Sequence, residues 1–209
     1  MMGIKIVNGG FLTTIQDMGR FGYQETGMAV SGVMDTRSAS LANILVGNDV
    51  NEAVIEVTMM GPMVEFTEDN MAAVTGGDLG AKLDGKPMPL YEAVLVKAGQ
   101  VLSFGGMFSG SRAYVAFAGG LEVPVIMGSK STNMKSKVGG LEGRKLGAGD
   151  ELGFSAPRTW LPNMRDRKLE PEDFSAREVT LRVLMGPQDD AFTEKGIATF
   201  LGSTYTVSN

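Results

Sequence analysis

Histidine and cysteine are both missing from the 209 residues. Within this chain, their absence excludes Ser-His-Asp triads, cysteine nucleophiles, zinc sites with His or Cys ligands, and disulfides. No apolar run approaches the roughly 20 residues of a membrane-spanning helix, and the opening MMGIKIVNGG lacks the apolar region of a signal peptide. With 19 basic and 24 acidic side chains, the chain lacks the basic surface of nucleic-acid-binding proteins. We expect a cytoplasmic protein with neither a membrane nor a nucleic acid as partner.

Glycine is abundant instead, with 29 residues, or about twice the average share. Without a repeat period, this excess indicates many tight turns between short strands. Alternating or apolar runs bounded by turn residues predict the strands: Ile4–Val7, Ala53–Thr58, Met63–Thr67, Met71–Thr75, Ala93–Lys97, Val101–Phe104, Arg112–Ala118 and Val179–Met185. The composition therefore predicts a mainly β fold with a few short helices.

Turn and capping residues place the other elements. Asp84-Gly85 predicts a hairpin between Ala81–Leu83 and Met88–Leu90, and Gly99-Gln100 predicts a second hairpin. Apolar residues at helical spacing after Asp35-Thr36, closed by Gly47, predict a helix with Asp35 or Thr36 as its N-cap. A second helix is predicted over Asp189–Leu201.

The segment between Ala156 and Arg177 is rich in proline and charge, which is typical of an exposed connector. The roughly 30 residues after it are too few to bury a core of their own. They must pack on the first unit or belong to a larger second unit.

Two polar, glycine-rich segments could carry chemistry. The first, Thr13–Ser38, has few aliphatic residues and is long for a loop without function; its polar residues are Gln16, Asp17, Arg20, Gln24, Ser31, Asp35, Arg37 and Ser38. The alternative is an ordered loop in which Asp17 and Arg20 pair with each other.

The second segment, Gly119–Asp150, contains Gly128-Ser129-Lys130-Ser131-Thr132, which could bind a phosphate or a carboxylate. It is not a Walker A loop, because Ser129 separates Gly128 from Lys130. The alternative is a mobile, solvated loop. A weaker candidate is Asp78, which follows a strand and two glycines but is also typical of a plain turn.

The strings that carry a family resemblance extend over nearly the whole chain: Thr14–Asn48 (TIQDMGRFGYQETGMAVSGVMDTRSASLANILVGN), Ile55-Glu56 with Gly61-Pro62, Thr75–Asp78, Gly110–Tyr114, Ala118–Gly120, Gly128–Thr132 and Gly139–Asp150. The chain resembles the carboxyltransferase subdomain of allophanate hydrolase subunit 2 proteins. The same subdomain occurs in the C subunit of bacterial ATP-dependent 5-oxoprolinase, in the antagonist of a sporulation kinase inhibitor and in urea carboxylase. One departure is Lys130, where arginine is expected in many relatives.

The resemblance implies a cyclophilin-like β-barrel over residues 1–156, a linker over 157–178, and the beginning of a second, truncated barrel over 179–209. It also implies two partners: a homologous B-type subunit, which is like allophanate hydrolase subunit 1, and a third, A-type subunit. Together the three would hydrolyse 5-oxoproline to L-glutamate at the expense of ATP, with Mg²⁺ as cofactor. The chain would be inactive alone.

Within this picture, Arg20 and Lys130 are expected to bind substrate carboxylate or phosphate oxygens, and Asp17 or Asp35 to hold Mg²⁺ or orient water. No other metal ligand is expected. The residues expected to contact substrate or nucleotide are Gln24, Ser31, Ser38, Asp78, Arg112, Gly128, Ser129, Ser131, Thr132 and Arg144.

Two other functions remain open at this point. The chain could be the carboxyltransferase component of a biotin-dependent urea or amide carboxylase, with biotin as cofactor. It could also be a regulatory protein that binds its subunit 1 homologue and so antagonises a sensor-kinase inhibitor.

Overall fold

The computed structural model describes residues 3–174 and 180–206, and the chain divides into two compact units, Met1–Ser175 and Ala176–Asn209. The described part of the first unit contains one α-helix, α1 (Thr36–Leu45), and one α-helix, α2 (Glu194–Gly202), lies in the second. Short 3₁₀ helices occur at Gln24–Thr26, Met164–Asp166 and Asp189–Ala191. The strands are β1 (Gly3–Asn8), β2 (Leu12–Gln16), β3 (Val54–Thr58), β4 (Met63–Phe66), β5 (Asn70–Asp78), β6 (Ala81–Leu83), β7 (Lys86–Pro87), β8 (Ala93–Val96), β9 (Val101–Phe104), β10 (Ser109–Phe117), β11 (Leu121–Glu122) and β12 (Glu151–Phe154).

The strands form two antiparallel sheets. Sheet 1 has the order β11-β12-β1-β4-β9-β6-β7, and sheet 2 has the order β2-β3-β10-β5-β8. Side chains of both sheets, such as Ile4 and Phe66 from sheet 1 and Ile55 and Val115 from sheet 2, bury a common core. The mainly β fold with few short helices is confirmed, and its two sheets enclose the core as in a barrel.

Helix α1 covers the other face of sheet 2, where a second apolar cluster includes Ala42 and Leu45 of the helix. Asp35 is its N-cap, as predicted, and accepts a hydrogen bond from the Ser38 backbone N–H. At the other end, the Arg167 guanidinium donates to the carbonyls of Ile44 and Leu45. These contacts pair backbone groups that a helix leaves unsatisfied at its ends.

The two predicted hairpins have different outcomes. Asp84-Gly85 does join two paired strands, although the second strand is Lys86–Pro87 and not Met88–Leu90. The hairpin at Gly99-Gln100 is wrong, because β8 pairs with β5 in sheet 2 whereas β9 pairs with β4 and β6 in sheet 1. This turn carries the chain from one sheet to the other.

The sequence does not predict strand β2, because residues 13–16 of this strand belong to the predicted polar segment Thr13–Ser38. All of Thr13, Thr14, Ile15 and Gln16 are buried. The side chains of Thr14 and Gln16 find partners inside the protein, since Gln16 Nε2 donates to Thr14 Oγ1 and to the Thr132 carbonyl. The Thr13 hydroxyl is buried without a hydrogen-bond partner among the described residues. Hydrogen bonding thus permits burial of a strand that apolar patterning does not reveal.

Residues 157–174, most of the expected linker, pack within the first unit. Leu161 is 2% exposed within the second apolar cluster, and the Ala93 N–H donates to the Arg167 carbonyl beside the sheet edge at β8. Residues 175–178 of that linker fall outside the described part.

The second unit contains α2, with Thr193 as its N-cap. The strand predicted over Val179–Met185 is not formed at 180–185, because these residues pair with no strand of the described sheets; Val179 lies outside the described residues. Whether this unit begins a second barrel stays a prediction. In the ranges 3–174 and 180–206, no helix has the length and apolar character needed to cross a bilayer.

Candidate functional site

The chain leaves β2 at Asp17 and returns to it before helix α1. The Val33 N–H donates to the Asp17 carbonyl, and the Arg20 N–H donates to the Val30 carbonyl. Gln16 Oε1 accepts from the Gly32 N–H, 3.1 Å away. The predicted polar segment is therefore closed at its base, and Asp17 and Arg20 lie at that base.

The Asp17 carboxylate is buried and is surrounded by donors. Oδ1 accepts from the hydroxyls of Ser129 and Ser131 and from the Gly19 N–H, and Oδ2 accepts from the Lys130 N–H at 2.6 Å. The Gly128–Thr132 segment does bind a carboxylate, but that carboxylate belongs to Asp17. The Thr132 hydroxyl is also used internally, because it donates to the Ile15 carbonyl.

Arg20 is 0% exposed. Its guanidinium donates to three backbone carbonyls, with Nε 2.8 Å from Ile126 O and Nη2 3.0 Å from Ser131 O and 3.4 Å from Ser129 O. Nη1 is buried without a hydrogen-bond acceptor in the described structure. No ion pair joins Arg20 to Asp17 within residues 3–174 and 180–206, so the direct pairing considered from the sequence is not formed.

A glycine permits this close approach. Gly139 has a φ of +73°, and a Cβ atom there would lie 2.0 Å from Ser131 O and 2.8 Å from Arg20 Nη2. Both the backbone conformation and the lack of space favour glycine at this position.

Lys130 faces a different environment. Its ammonium donates to Glu52 Oε1 at 2.6 Å and to the Leu121 carbonyl at 3.0 Å. The two side chains of this ion pair are 18% and 25% exposed. An ammonium has three N–H donors, so one remains for a ligand.

The ion pair lies in an open cleft of about 210 Å³, which we call the Asp17 cleft; it is lined by Asp17, Asp49, Asn51, Glu52, Val125, Gly128 and Lys130. Asp17 of the first predicted polar segment and Gly128 and Lys130 of the second meet at this cleft. Sequence reasoning missed Asp49, Asn51 and Glu52, which follow helix α1. The polar run Asn48–Glu52 after the helix stop at Gly47 was the available signal.

Asp35, Ser38 and Arg112 belong to a second cluster, on the face of sheet 2 near helix α1. The Asp35 carboxylate accepts from the Ser38 N–H and hydroxyl, which is a capping role. Arg112 Nη1 lies 3.0 Å from Glu56 Oε1, and the Tyr114 hydroxyl donates to Glu56 Oε2. Burial, with the adjacent Glu56 charge as a second cause, raises the pKa of the Tyr114 phenol, so that it stays a donor.

The other predicted residues lie apart from the Asp17 cleft. Gln24 and Ser31 are exposed in the segment before α1, and Asp78 accepts from the Gly80 N–H in a turn. Arg144 forms a two-pronged ion pair with Asp150, at 2.7 and 2.9 Å. None of these four side chains lines the cleft.

The carboxylates do not fit the Mg²⁺ role expected for Asp17 or Asp35. Asp17 accepts four internal hydrogen bonds, and Asp35 caps a helix. Across residues 3–174 and 180–206, no group of three or more Asp or Glu side chains is arranged to hold a metal ion. We therefore derive no step through Mg²⁺ from these residues.

Comparison with known proteins gives consistent matches. A family model described as carboxyltransferase domain, subdomain A and B, matches residues 26–209. The C subunit of 5-oxoprolinase from Escherichia coli is 42% identical over 149 residues, which cover 71% of this chain and 48% of that protein. The corresponding Haemophilus influenzae protein is 40% identical, over 66% of this chain and 45% of that protein.

Urea amidolyases match over more of the chain. The Saccharomyces cerevisiae protein is 38% identical over 212 residues, covering 98% of this chain and 12% of that protein. The crystal structure of the K. lactis urea amidolyase superposes with a TM-score of 0.80 at 32% identity, covering 96% of this chain and 13% of that one. The chain spans about half the length of the 5-oxoprolinase relatives it matches.

Proposed function

Because this chain belongs to the family of carboxyltransferase domains, subdomains A and B, we propose that it is the C subunit of an ATP-dependent 5-oxoprolinase. In this role it hydrolyses 5-oxoproline to L-glutamate in the cytoplasm, together with a homologous B-type partner and a third, A-type partner. The observation that carries the proposal is the 42% identity to a protein that bears this name. The lack of cysteine in the 209 residues supports a reducing compartment.

The Asp17 cleft is the proposed substrate contact of this chain. Lys130 presents an ammonium with one donor to spare, which suits a carboxylate or an oxygen that gains negative charge during the reaction. Transfer of a phosphoryl group asks the protein mainly for positioning and charge neutralisation. Lys130 can supply both without histidine or cysteine.

The proposed roles of Arg20 and Asp17 differ from that of Lys130. Arg20 and Asp17 bind the protein's own backbone and hydroxyl groups, so we propose that they support the cleft and do not themselves bind substrate. Asp49, Asn51 and Glu52 supply the polar groups that line the cleft with Lys130. ATP and Mg²⁺ belong to the proposed reaction as a whole, and no step through them is assigned to this chain.

The test is an assay of full-length protein with its two purified partners. Glutamate formation should require ATP and all three proteins, and Lys130→Met should lower kcat/KM at least about tenfold, the loss expected when one charged hydrogen bond is removed. Lys86→Met is the matched control, because Lys86 is exposed and lies outside the cleft. The proposal is refuted if the two partners form glutamate with another C-type subunit but form none with this protein.

The second candidate is the carboxyltransferase component of a biotin-dependent urea or amide carboxylase. It is favoured by the urea amidolyase match, which extends over 98% of the chain. Transfer of a carboxyl group from carboxybiotin to urea, with no ATP-dependent formation of glutamate, would decide for this alternative.

A further inference from the structure

We propose that Arg20 and Asp17 act as a pair of positioning residues that fix the Ser129–Lys130 peptide, and through it the ammonium of Lys130. The contacts come from the two ends of the same peptide group. Arg20 Nη2 lies 3.4 Å from Ser129 O, which also accepts from the Ile126 N–H at 2.9 Å. At the other end of the peptide, the Lys130 N–H donates to Asp17 Oδ2 at 2.6 Å. The inference refers to the cleft of the proposed function, but its test needs no enzymatic activity.

Because the Ser129–Lys130 peptide is trans, the Arg20 guanidinium and the Asp17 carboxylate lie on opposite sides of it. No cis peptide bond occurs in the described chain, so the C=O and N–H of this group point in opposite directions. The cation therefore meets the negative end of the peptide dipole, and the anion meets the positive end. Arg20 and Asp17 are coupled through the peptide, without the direct ion pair that the sequence suggested.

The burial of Arg20 explains why its guanidinium binds several carbonyls of one segment. A buried charge is costly unless it is paired or hydrogen-bonded, and the acceptors that Arg20 has are carbonyls. Two further carbonyls, of Ile126 and Ser131, bind the same guanidinium. The guanidinium thus contacts both ends of the 126–131 segment, whose middle is held by Asp17.

The position of the Lys130 side chain depends on the position of the Ser129–Lys130 peptide. Its backbone N–H is fixed by Asp17, and its side chain reaches Glu52 and the Leu121 carbonyl. If the Ser129–Lys130 peptide can rotate, the ammonium leaves Glu52 and becomes more accessible. The reactivity of the Lys130 amine therefore reports on Arg20.

The experiment measures the rate at which an N-hydroxysuccinimide ester acylates Lys130 in the full chain, by peptide mass spectrometry with Lys86 as the internal reference. In Arg20→Ala we expect the Lys130 rate to rise roughly tenfold, the factor that corresponds to loss of one charged hydrogen bond. Ethylguanidinium should restore the slow rate by filling the vacated site. Ethylammonium, which cannot bind three carbonyls in a plane, should not restore it.

Arg167→Ala is the matched control. Arg167 also donates to three backbone carbonyls, those of Pro162, Ile44 and Leu45, and these lie outside residues 126–131. In this variant the Lys130 rate should stay within about twofold of the wild type, as expected for a site without a shared partner. An equal rise in both variants, or no effect of ethylguanidinium, would overturn the inference.

A measurement on the wild type guards against a variant that does not fold. The Lys130 amide should exchange with solvent as slowly as amides of the buried strands β3 and β10, because Asp17 holds it. Exchange at the rate of the exposed 21–27 segment would overturn the proposal. A chain without 5-oxoprolinase activity would leave both measurements unchanged, so this inference and the proposed function can fail separately.

Discussion

Asp17 and Asp78 are held very differently, although both were predicted to take part in a site. Asp17 is buried with four donors around it, whereas Asp78 is half-buried and accepts one backbone N–H in a turn. An isosteric change to asparagine therefore tests whether the Asp17 charge is needed for folding.

We expect Asp17→Asn to lower the free energy of unfolding by about 2–4 kcal/mol, because an amide leaves buried donors without an acceptor. Asp78→Asn should change it by less than about 1 kcal/mol, as surface changes usually do. Urea unfolding at pH 7 measures both. Equal effects of the two substitutions would contradict the structural role of Asp17.

Asp150 makes stability depend on pH. Hydrogen bonding to Arg144, supported by the Gly147 N–H, lowers the pKa of the Asp150 carboxyl from the ordinary 3.8. A lowered pKa in the folded state favours the ionised form, so the stabilisation is complete above the unfolded pKa and is lost as the pH falls through the folded value.

Asp150→Asn should therefore reduce the loss of stability that the wild type shows on acidification from about pH 5 to pH 3. Arg144→Met should have the same effect, since Arg144 is the main cause of the shift. The double variant should add little, because both changes remove one interaction. Denaturant unfolding across this pH range measures how the free energy of unfolding changes with pH. If this pH dependence is unchanged in all three variants, the Asp150–Arg144 interaction is not its cause.

At the scale of elements, helix α1 begins at a residue that the sequence offered for two roles. Asp35 was predicted as an N-cap and as a candidate for Mg²⁺ or water, and the structure shows it capping the helix. We expect Asp35→Ala to cost about 0.5–2 kcal/mol and Asp35→Ser to retain most of the stability, because serine also caps well. Thermal unfolding measures the stability of both variants. Equal losses of stability in Asp35→Ala and Asp35→Ser would argue for a role of Asp35 beyond capping.

The strands found from the sequence are those with apolar alternation, such as β3 and β4. The sequence does not reveal strand β2, because Thr13, Thr14 and Gln16 are polar and Thr132, a partner of Gln16, lies 116 residues away along the chain. Short-range pattern does not contain that information. The wrong hairpin at Gly99 has a similar cause. Strands β8 and β9 are assigned to different sheets by their pairing with other strands, β5 for β8 and β4 and β6 for β9, which the local sequence does not show.

The sequence predicted several residues of the candidate site but not the contacts between them. The sequence identified Asp17, Arg20 and the Gly128–Thr132 segment as candidate binding groups, and the structure brings them together. It could not show that the segment would bind Asp17 itself. Glu52, which pairs with Lys130, lies in the polar run after helix α1, but nothing in that run indicates a partner 78 residues away along the chain.

At the scale of the whole molecule, the two apolar clusters of the first unit are formed by residues between Ile4 and Met164. The second unit instead exposes large apolar side chains, with Leu184 97% exposed. The first unit should therefore keep its core without the second.

We expect a chain ending at residue 174 to unfold within a few degrees of the full chain, with less aggregation on heating. A chain ending at residue 156 should be less stable by several kcal/mol, because it loses buried Leu161 and the carbonyl contacts of Arg167. Calorimetry of both truncated chains measures this. Equal stability would place the boundary at the predicted linker start.

The contact between Asp17 and Lys130 joins residues 113 positions apart. During synthesis on a ribosome, strand β2 emerges long before the segment that satisfies its polar groups. The cleft therefore cannot assemble on a nascent chain until residues 126–132 have left the exit tunnel. Slowing of translation before that point would prolong exposure of an incomplete barrel edge, whereas slowing after it would not.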